Sequence, residues 1–248
     1  MITNYADMGF VRAAACSPKV SIGNPEENAK RIAESSSRLF DQGISIGVFP
    51  ELSMTGYTAE DLFYSDKLID ANNSGLAYLA EESKLPCLVV GTPWRLRDGR
   101  LLNCAAVISE NRIIGLIPKS AHPNHGEFYD LRWFSDGALI NEHINDKKLG
   151  NFQIRVDQLF EVGSGVLGIE LCEDLWSPIS PSTRASLAGA NIIANLSASN
   201  ELITKAEYRR SLIHLTSAKN LCGYIYCGAG PTLSLIHISE PTRRTPIS

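Results

Sequence analysis

A carboxylate, an ammonium and a thiol each stand at the end of an apolar run in this chain. Glu51 lies in Phe49-Pro-Glu-Leu-Ser-Met-Thr-Gly-Tyr57, Lys119 in Ile117-Pro-Lys-Ser120, and Cys172 in Ile169-Glu-Leu-Cys-Glu-Asp-Leu-Trp176. Together they can form a nucleophile, its base and an electrostatic partner, which is chemistry for attacking an amide carbon. A free thiol ionises near pH ~8.5, and a neighbouring ammonium lowers that value. Lys119 supplies the ammonium if the strand ends converge, and it can also steady the oxyanion formed on the attacked carbonyl. Glu51 can take the thiol proton, pass it to departing ammonia and then activate water. Singly, each residue has an ordinary reading as a core thiol, a solvated lysine or a helix-capping glutamate. Their common place at strand ends, where α/β sheets bind ligands, favours the chemical reading.

The elements that must position them alternate between strand and helix. Residues 10–16 read as a buried strand. Asn24-Pro-Glu-Glu27 is a strong helix start: Asn24 can cap, Pro25 suits the first helical position, and Glu27 completes a capping-box-like pair. That helix should run to about Gln42, bury Ala29, Ile32, Ala33 and Leu39, and stop at Gly43. A strand over 44–49, a helix over 66–84 and a buried strand over 86–91 follow. Two runs, 103–109 and 112–117, flank Glu110-Asn111, which reads as a hairpin turn. Residues 121–149 read as a long irregular loop, the kind that is usually functional or disordered. Strands over 165–171 and 191–196, a helix over 201–219 and a strand over 223–227 complete the pattern. Apolar strands covered by amphipathic helices indicate an α/β layered fold. The hairpin argues for mixed sheets, or two packed sheets, rather than a purely parallel one.

The 248 residues fit one α/β domain. A hydrophobic share of 44% with 20% charged residues is ordinary globular composition. The formal net charge of -4 leaves no basic footprint for nucleic acid. No apolar run approaches the ~18 residues a membrane span needs. Residues 1–9 lack the basic region and apolar core of a secretory signal, which points to the cytoplasm. Most of the six cysteines sit in apolar runs and read as buried free thiols, and no CxxC pair suggests zinc. His122 and His125, with one nearby acid, make a poor metal site, and no metal is expected. The segment 233–248 carries two prolines and no amphipathic period. It reads as a non-native tail resembling translated adaptor sequence, or else as a disordered one.

Taken together, the Phe-Pro-Glu-Leu…Thr-Gly-Tyr, Pro-Lys and Cys-Glu-Asp-Leu-Trp stretches resemble the nitrilase (carbon–nitrogen hydrolase) superfamily. Asn195-Leu-Ser-Ala-Ser199, Lys205-Ala-Glu-Tyr-Arg-Arg210 and Tyr224-Ile-Tyr-Cys-Gly-Ala-Gly-Pro-Thr232 are similar to its glutaminase branch, which feeds NAD+ synthesis. The likeness covers about residues 5 to 232. It implies an α/β four-layer α-β-β-α sandwich with two mixed sheets, lacking its last strands. The hydrolase domain is thus expected over 1–232, incomplete at its C-terminus.

The resemblance also implies a Glu51–Lys119–Cys172 triad that attacks the side-chain amide of L-glutamine through a γ-glutamyl thioester. Glu127 falls where the family carries an additional catalytic-site glutamate. Tyr57, His125, Glu173, Trp176, Ser199 and Lys205 fall near the substrate in such domains. Glu173 suits the α-ammonium and Lys205 the α-carboxylate. Lys205 stands where relatives often carry arginine, which loses bidentate recognition, and His125 where many carry tyrosine. Ammonia would pass to an NAD+ synthetase domain that amidates nicotinic acid adenine dinucleotide. ATP and Mg2+ belong to that half, whose Ser-Gly-Gly-x-Asp-Ser loop is absent here; the hydrolase half needs no cofactor. Homo-oligomers are implied as well. Two other readings stay open: a stand-alone amidase or carbamoyl hydrolase of the superfamily, and an inactive fragment serving as an interaction module.

Overall fold

Helix α1 (Pro25–Asp41) starts as its sequence requires. The Asn24 side chain accepts from the Glu27 backbone N–H at 3.2 Å, and Pro25 occupies the first helical position. The Glu27 carboxylate does not turn back to the cap; it pairs with Arg31 one turn on, at 3.0 Å. Gly43, at φ 72°, ends the helix in a left-handed conformation that glycine adopts without a Cβ penalty. The computed structural model describes residues 5–230. Segment 233–248 and the end of the expected hydrolase domain at 231–232 lie outside those residues.

A seven-stranded sheet begins with β1 (Ala13–Ala15), β2 (Ile46–Val48), β3 (Cys87–Arg95), β4 (Leu101–Ser109) and β5 (Arg112–Pro118). It continues through β7 (Gly150–Ile154) to β6 (Glu142–Asp146). β1, β2 and β3 pair in parallel, whereas β3, β4 and β5 are antiparallel. Glu110 and Asn111 both take positive φ, 50° and 59°, between β4 and β5. That is the primed turn whose twist matches a two-residue hairpin. The second sheet has the order β11 (Gly223–Cys227), β10 (Ile192–Leu196), β9 (Gly165–Leu171), β8 (Phe160–Val162). Its first three strands are parallel.

Alternation along the strands builds the layers. Leu88, Val90 and Ala106 face Ala29, Ile32 and Ala33 of α1 and Leu76 and Leu79 of α2 (Asp66–Glu82). On the opposite face, Val89, Ala105 and Val107 meet Ile169, Leu171, Ala194 and Leu196 of the second sheet. Outside that sheet, Ala190, Ile193 and Cys222 pack with Ala185 of α4 (Pro181–Leu187). Helix α5 (Lys205–Asn220) lies beyond it and contains no fully buried residue. The architecture is therefore α-β-β-α. All six cysteines are free. No helix among the described residues is long and apolar enough to cross a membrane.

The segment 121–149 differs from expectation. It contains a short helix, α3 (Asp130–Trp133), and the strand β6, which forms a hairpin with β7. β6 buries only Ile144 fully, among His143, Asn145 and Asp146, so its apolar alternation is too sparse to read locally. The short strand β8 and helix α4 were also not expected from the sequence.

Candidate active site

Each of the three reactive side chains leaves the end of a strand. Glu51 follows β2 after Pro50, and its neighbour Leu52 has φ 50°. Lys119 follows β5 directly. Cys172 follows β9 at φ 44° and opens a tight 3-10 turn over Cys172–Trp176. A left-handed non-glycine residue costs roughly 1–2 kcal/mol, so packing must hold the nucleophile in place. Two glycines allow close backbone approach. A Cβ at Gly91 would meet the Leu52 nitrogen at 2.3 Å, and one at Gly137 would meet the Lys119 carbonyl oxygen at 2.7 Å. Asp174 ties two of the loops together. Its carboxylate accepts from the Leu171 N–H (2.9 Å), the Ser120 hydroxyl (2.7 Å) and the Ala121 N–H (2.7 Å).

The Glu51 and Lys119 side chains are both 0% exposed and pair at 2.7 Å. Glu51 Oε1 also accepts from Asn103 Nδ2 at 2.7 Å, and Oε2 from the Ala198 N–H at 2.9 Å. Lys119 Nζ donates a second bond to Asp130 Oδ2 at 2.7 Å. Asp130 is held in turn by the Tyr57 hydroxyl, and His122 Nδ1 stands 3.5 Å from it. A buried ammonium thus sits between two carboxylates, an arrangement that offsets its desolvation only because every partner is engaged. Burial works to lower the Lys119 pKa, but Glu51 and Asp130 outweigh it and raise the value well above the usual lysine range. Burial works to raise the Asp130 pKa, and Lys119 overrides it to hold the carboxyl below its usual range. Burial first, and then the Glu51 charge, push the Cys172 thiol up to about 12, while Lys119 and Ser197 act in the opposite direction. The resting sulfur is therefore a thiol, and a base must act on it before attack.

Cys172 lies on the wall of a cavity of about 230 Å3 that is also lined by His125, Phe128, Glu173, Trp176, Ser199 and Lys205. Five of the six residues proposed from sequence as substrate contacts meet in this one space. Lys205 Nζ lies 5.7 Å from the Trp176 ring centre and 6.0 Å from that of Phe128, and it donates to Asn200. Tyr57 does not line the cavity; it lies buried beneath, on Asp130 and edge-on to Phe128 at 6.3 Å. The expected extra carboxylate also changes. Glu127 is exposed and accepts from Asn200, while Asp130, three residues on, reaches the lysine. The reason is local: Asp130 turns inward at the start of α3, with Phe128 and Phe134 buried around it, whereas Glu127 lies on the outer turn before it. Sequence reasoning missed Asp130, Asn103 and Ser197. Asn103 carried a signal, as a lone amide within the apolar run Leu101-Leu-Asn-Cys-Ala105.

Two mixed sheets stacked between helix layers, with a thiol and a buried carboxylate–lysine pair at their strand ends, define a nitrilase-like α/β protein. The family model for carbon-nitrogen hydrolases matches residues 12–229, and the chain belongs to that family. It is 40% identical over 229 residues to a glutamine-dependent NAD(+) synthetase of Mycobacterium tuberculosis, covering 90% of this chain and 33% of that protein. The structure is similar to glutamine-dependent NAD+ synthetase from Acinetobacter baumannii, with a TM-score of 0.76 and 25% identity over 88% of this chain and 38% of that one. An amidase from Nesterenkonia sp. shares the fold, with a TM-score of 0.70 and 18% identity over 88% of this chain and 76% of that one. The chain spans about a third of the length of the curated relatives it matches.

Proposed function

We propose that this chain is the glutamine amidohydrolase part of a glutamine-dependent NAD+ synthetase. The observation that carries the reading is the cavity, in which Cys172 shares a wall with Glu173 and Lys205. A carboxylate and an ammonium beside one thiol suit an amino acid, whose α-ammonium meets Glu173 and whose α-carboxylate meets Lys205, while its side-chain amide reaches the sulfur. Glu51 takes the thiol proton, and the sulfur electron pair forms a bond to the amide carbon. Lys119 opposes the charge that develops on the carbonyl oxygen. The carbon–nitrogen bond breaks, the proton on Glu51 leaves with the nitrogen as ammonia, and a γ-glutamyl thioester remains. Water, deprotonated by Glu51, then releases glutamate and restores the thiol. Asp130 keeps Lys119 charged and fixed. The ammonia serves a synthetase part that binds ATP and Mg2+ and amidates nicotinic acid adenine dinucleotide.

The test is ammonia release from glutamine and from simple aliphatic amides, with Cys172→Ala alongside. The reading expects glutamine to be preferred and activity to fall at least ~10³-fold in the variant. Equal release by both proteins would discard the mechanism, and a preference for simple amides would replace the substrate.

A further inference from the structure

Two hydroxyls near the nucleophile, one buried and one half-buried, have no part in the steps above. Ser197 follows β10, and its hydroxyl donates to Cys172 Sγ at 3.2 Å. Tyr226 lies on β11, and its hydroxyl donates to Ser197 Oγ at 2.6 Å. A serine hydroxyl carries one proton. Because its oxygen already receives the phenol proton, its own proton is directed at the sulfur.

The scaffold holds this order. Leu171, Leu196 and Cys227 are in register across three parallel strands, so Cys172 and Ser197 leave the sheet at one level. The Ser197 N–H is anchored on the Cys227 carbonyl at 2.9 Å. The Arg209 guanidinium covers the Tyr226 ring at 5.5 Å and is paired with Glu201. Burial above all, followed by Cys172, keeps the phenol protonated and therefore a donor.

We propose that Ser197 is a catalytic residue that donates a hydrogen bond to the Cys172 thiolate, and that Tyr226 is the positioning residue that aims it. The proposal rests on the amidohydrolase reading of Cys172. In the attack step the sulfur proton moves to the Glu51 carboxylate, the sulfur electron pair enters the new carbon–sulfur bond, and Ser197 keeps its proton. The hydrogen bond strengthens as charge gathers on sulfur, because an ionised acceptor binds a donor more strongly than a neutral one. It weakens in the neutral thioester and strengthens again as sulfur departs during hydrolysis. The contact is therefore worth most at the two points where sulfur carries charge.

The experiment measures the rate of Cys172 alkylation by iodoacetamide against pH, with the labelled site located by peptide mass mapping. It uses no glutamine, so it stands even if the glutaminase reading fails. Ser197→Ala should move the rate profile to higher pH and slow alkylation at pH 8 by roughly tenfold, the loss expected for one charge-assisted hydrogen bond. Tyr226→Phe should move it the same way by a smaller factor, roughly threefold, because the serine rotor is freed but kept. The double variant should match Ser197→Ala alone, since the two hydroxyls act as one unit. Ser197→Thr, which keeps the hydroxyl, should restore the profile. Superimposed profiles, or effects that multiply in the double variant, would overturn the proposal. If Ser197→Ala does not fold, Tyr226→Phe decides alone, and an unmoved profile overturns it.

Discussion

Replacing Glu51 by glutamine should separate two reactivities of Cys172 that normally travel together. The thiol is pushed up to about 12 by burial first and by Glu51 second, against Lys119 and Ser197. At pH 7 the sulfur is then almost wholly in its thiol form. Glu51→Gln removes the negative charge that opposes the thiolate and leaves the Lys119 ammonium, still paired with Asp130 at 2.7 Å. A single nearby charge is worth roughly 1–3 pKa units. The thiolate fraction then rises ~10- to 1,000-fold. A less basic thiolate is also a weaker nucleophile, with a Brønsted slope of about 0.4–0.5, so alkylation at pH 7 should quicken by roughly 3- to 40-fold. Amide hydrolysis should instead fall by ~10²–10⁴, because the departing nitrogen loses its proton donor. The assay pairs iodoacetamide kinetics at Cys172 with ammonia release from glutamine on the same preparations. Alkylation that slows in step with hydrolysis would refute the reasoning, since the Glu51 charge would then not be adding to burial in opposing the thiolate.

Other outcomes follow from the same contacts. Asp130→Asn leaves the buried Lys119 ammonium with one counter-charge in place of two, still paired with Glu51, and should lower stability by roughly 1.5–3 kcal/mol, the loss of one charged hydrogen bond, in a denaturant melt. Burial raises the pKa of Cys87, Cys104, Cys172 and Cys227. In the unfolded chain these thiols ionise near pH 8.5–9, so above that the unfolded state holds fewer protons than the folded one. Stability should therefore be full below pH ~8.5 and fall by up to about 1.4 kcal/mol per pH unit for each thiol as pH climbs toward 12. Thermal melts at pH 8 and pH 10.5 measure this slope, and Cys104→Ala should flatten it. Lys205→Ala should raise the KM for glutamine by roughly 10- to 100-fold with a smaller change in kcat, because the lost contact holds ground and transition states alike.

What could be read in advance divides along a physical line. Local chemistry was legible. Asn24 and Pro25 start α1 through backbone groups three residues away, and Glu110-Asn111 needs only its own dihedral angles to make a turn. The ends of β2, β5 and β9 were legible as well, because each apolar run stops at a proline or a pair of acids, at Pro50, at Pro118-Lys119 and at Glu173-Asp174. Asp130 was not legible. Its partners are Lys119, eleven positions back, and Tyr57, seventy-three back, and nothing near Asp130 in sequence distinguishes it from Glu127. The distinction arises only when α3 turns one carboxylate inward and leaves the other outside. The β6–β7 hairpin was hidden for a related reason. It covers one face of the core with Ile144, Leu149, Phe152 and Ile154, and most of the residues between them are polar. Ser197 stood in plain view within Asn-Leu-Ser-Ala-Ser, but its role depends on Tyr226 from the neighbouring strand.

The measurement closest to the central claim is mass spectrometry of the protein after exposure to a diazoketone analogue of glutamine. One adduct per chain is expected, mapped to Cys172, slowed by added glutamine and abolished in Cys172→Ala. Labelling spread over other cysteines, or labelling of Cys172 that glutamine does not slow, would contradict it.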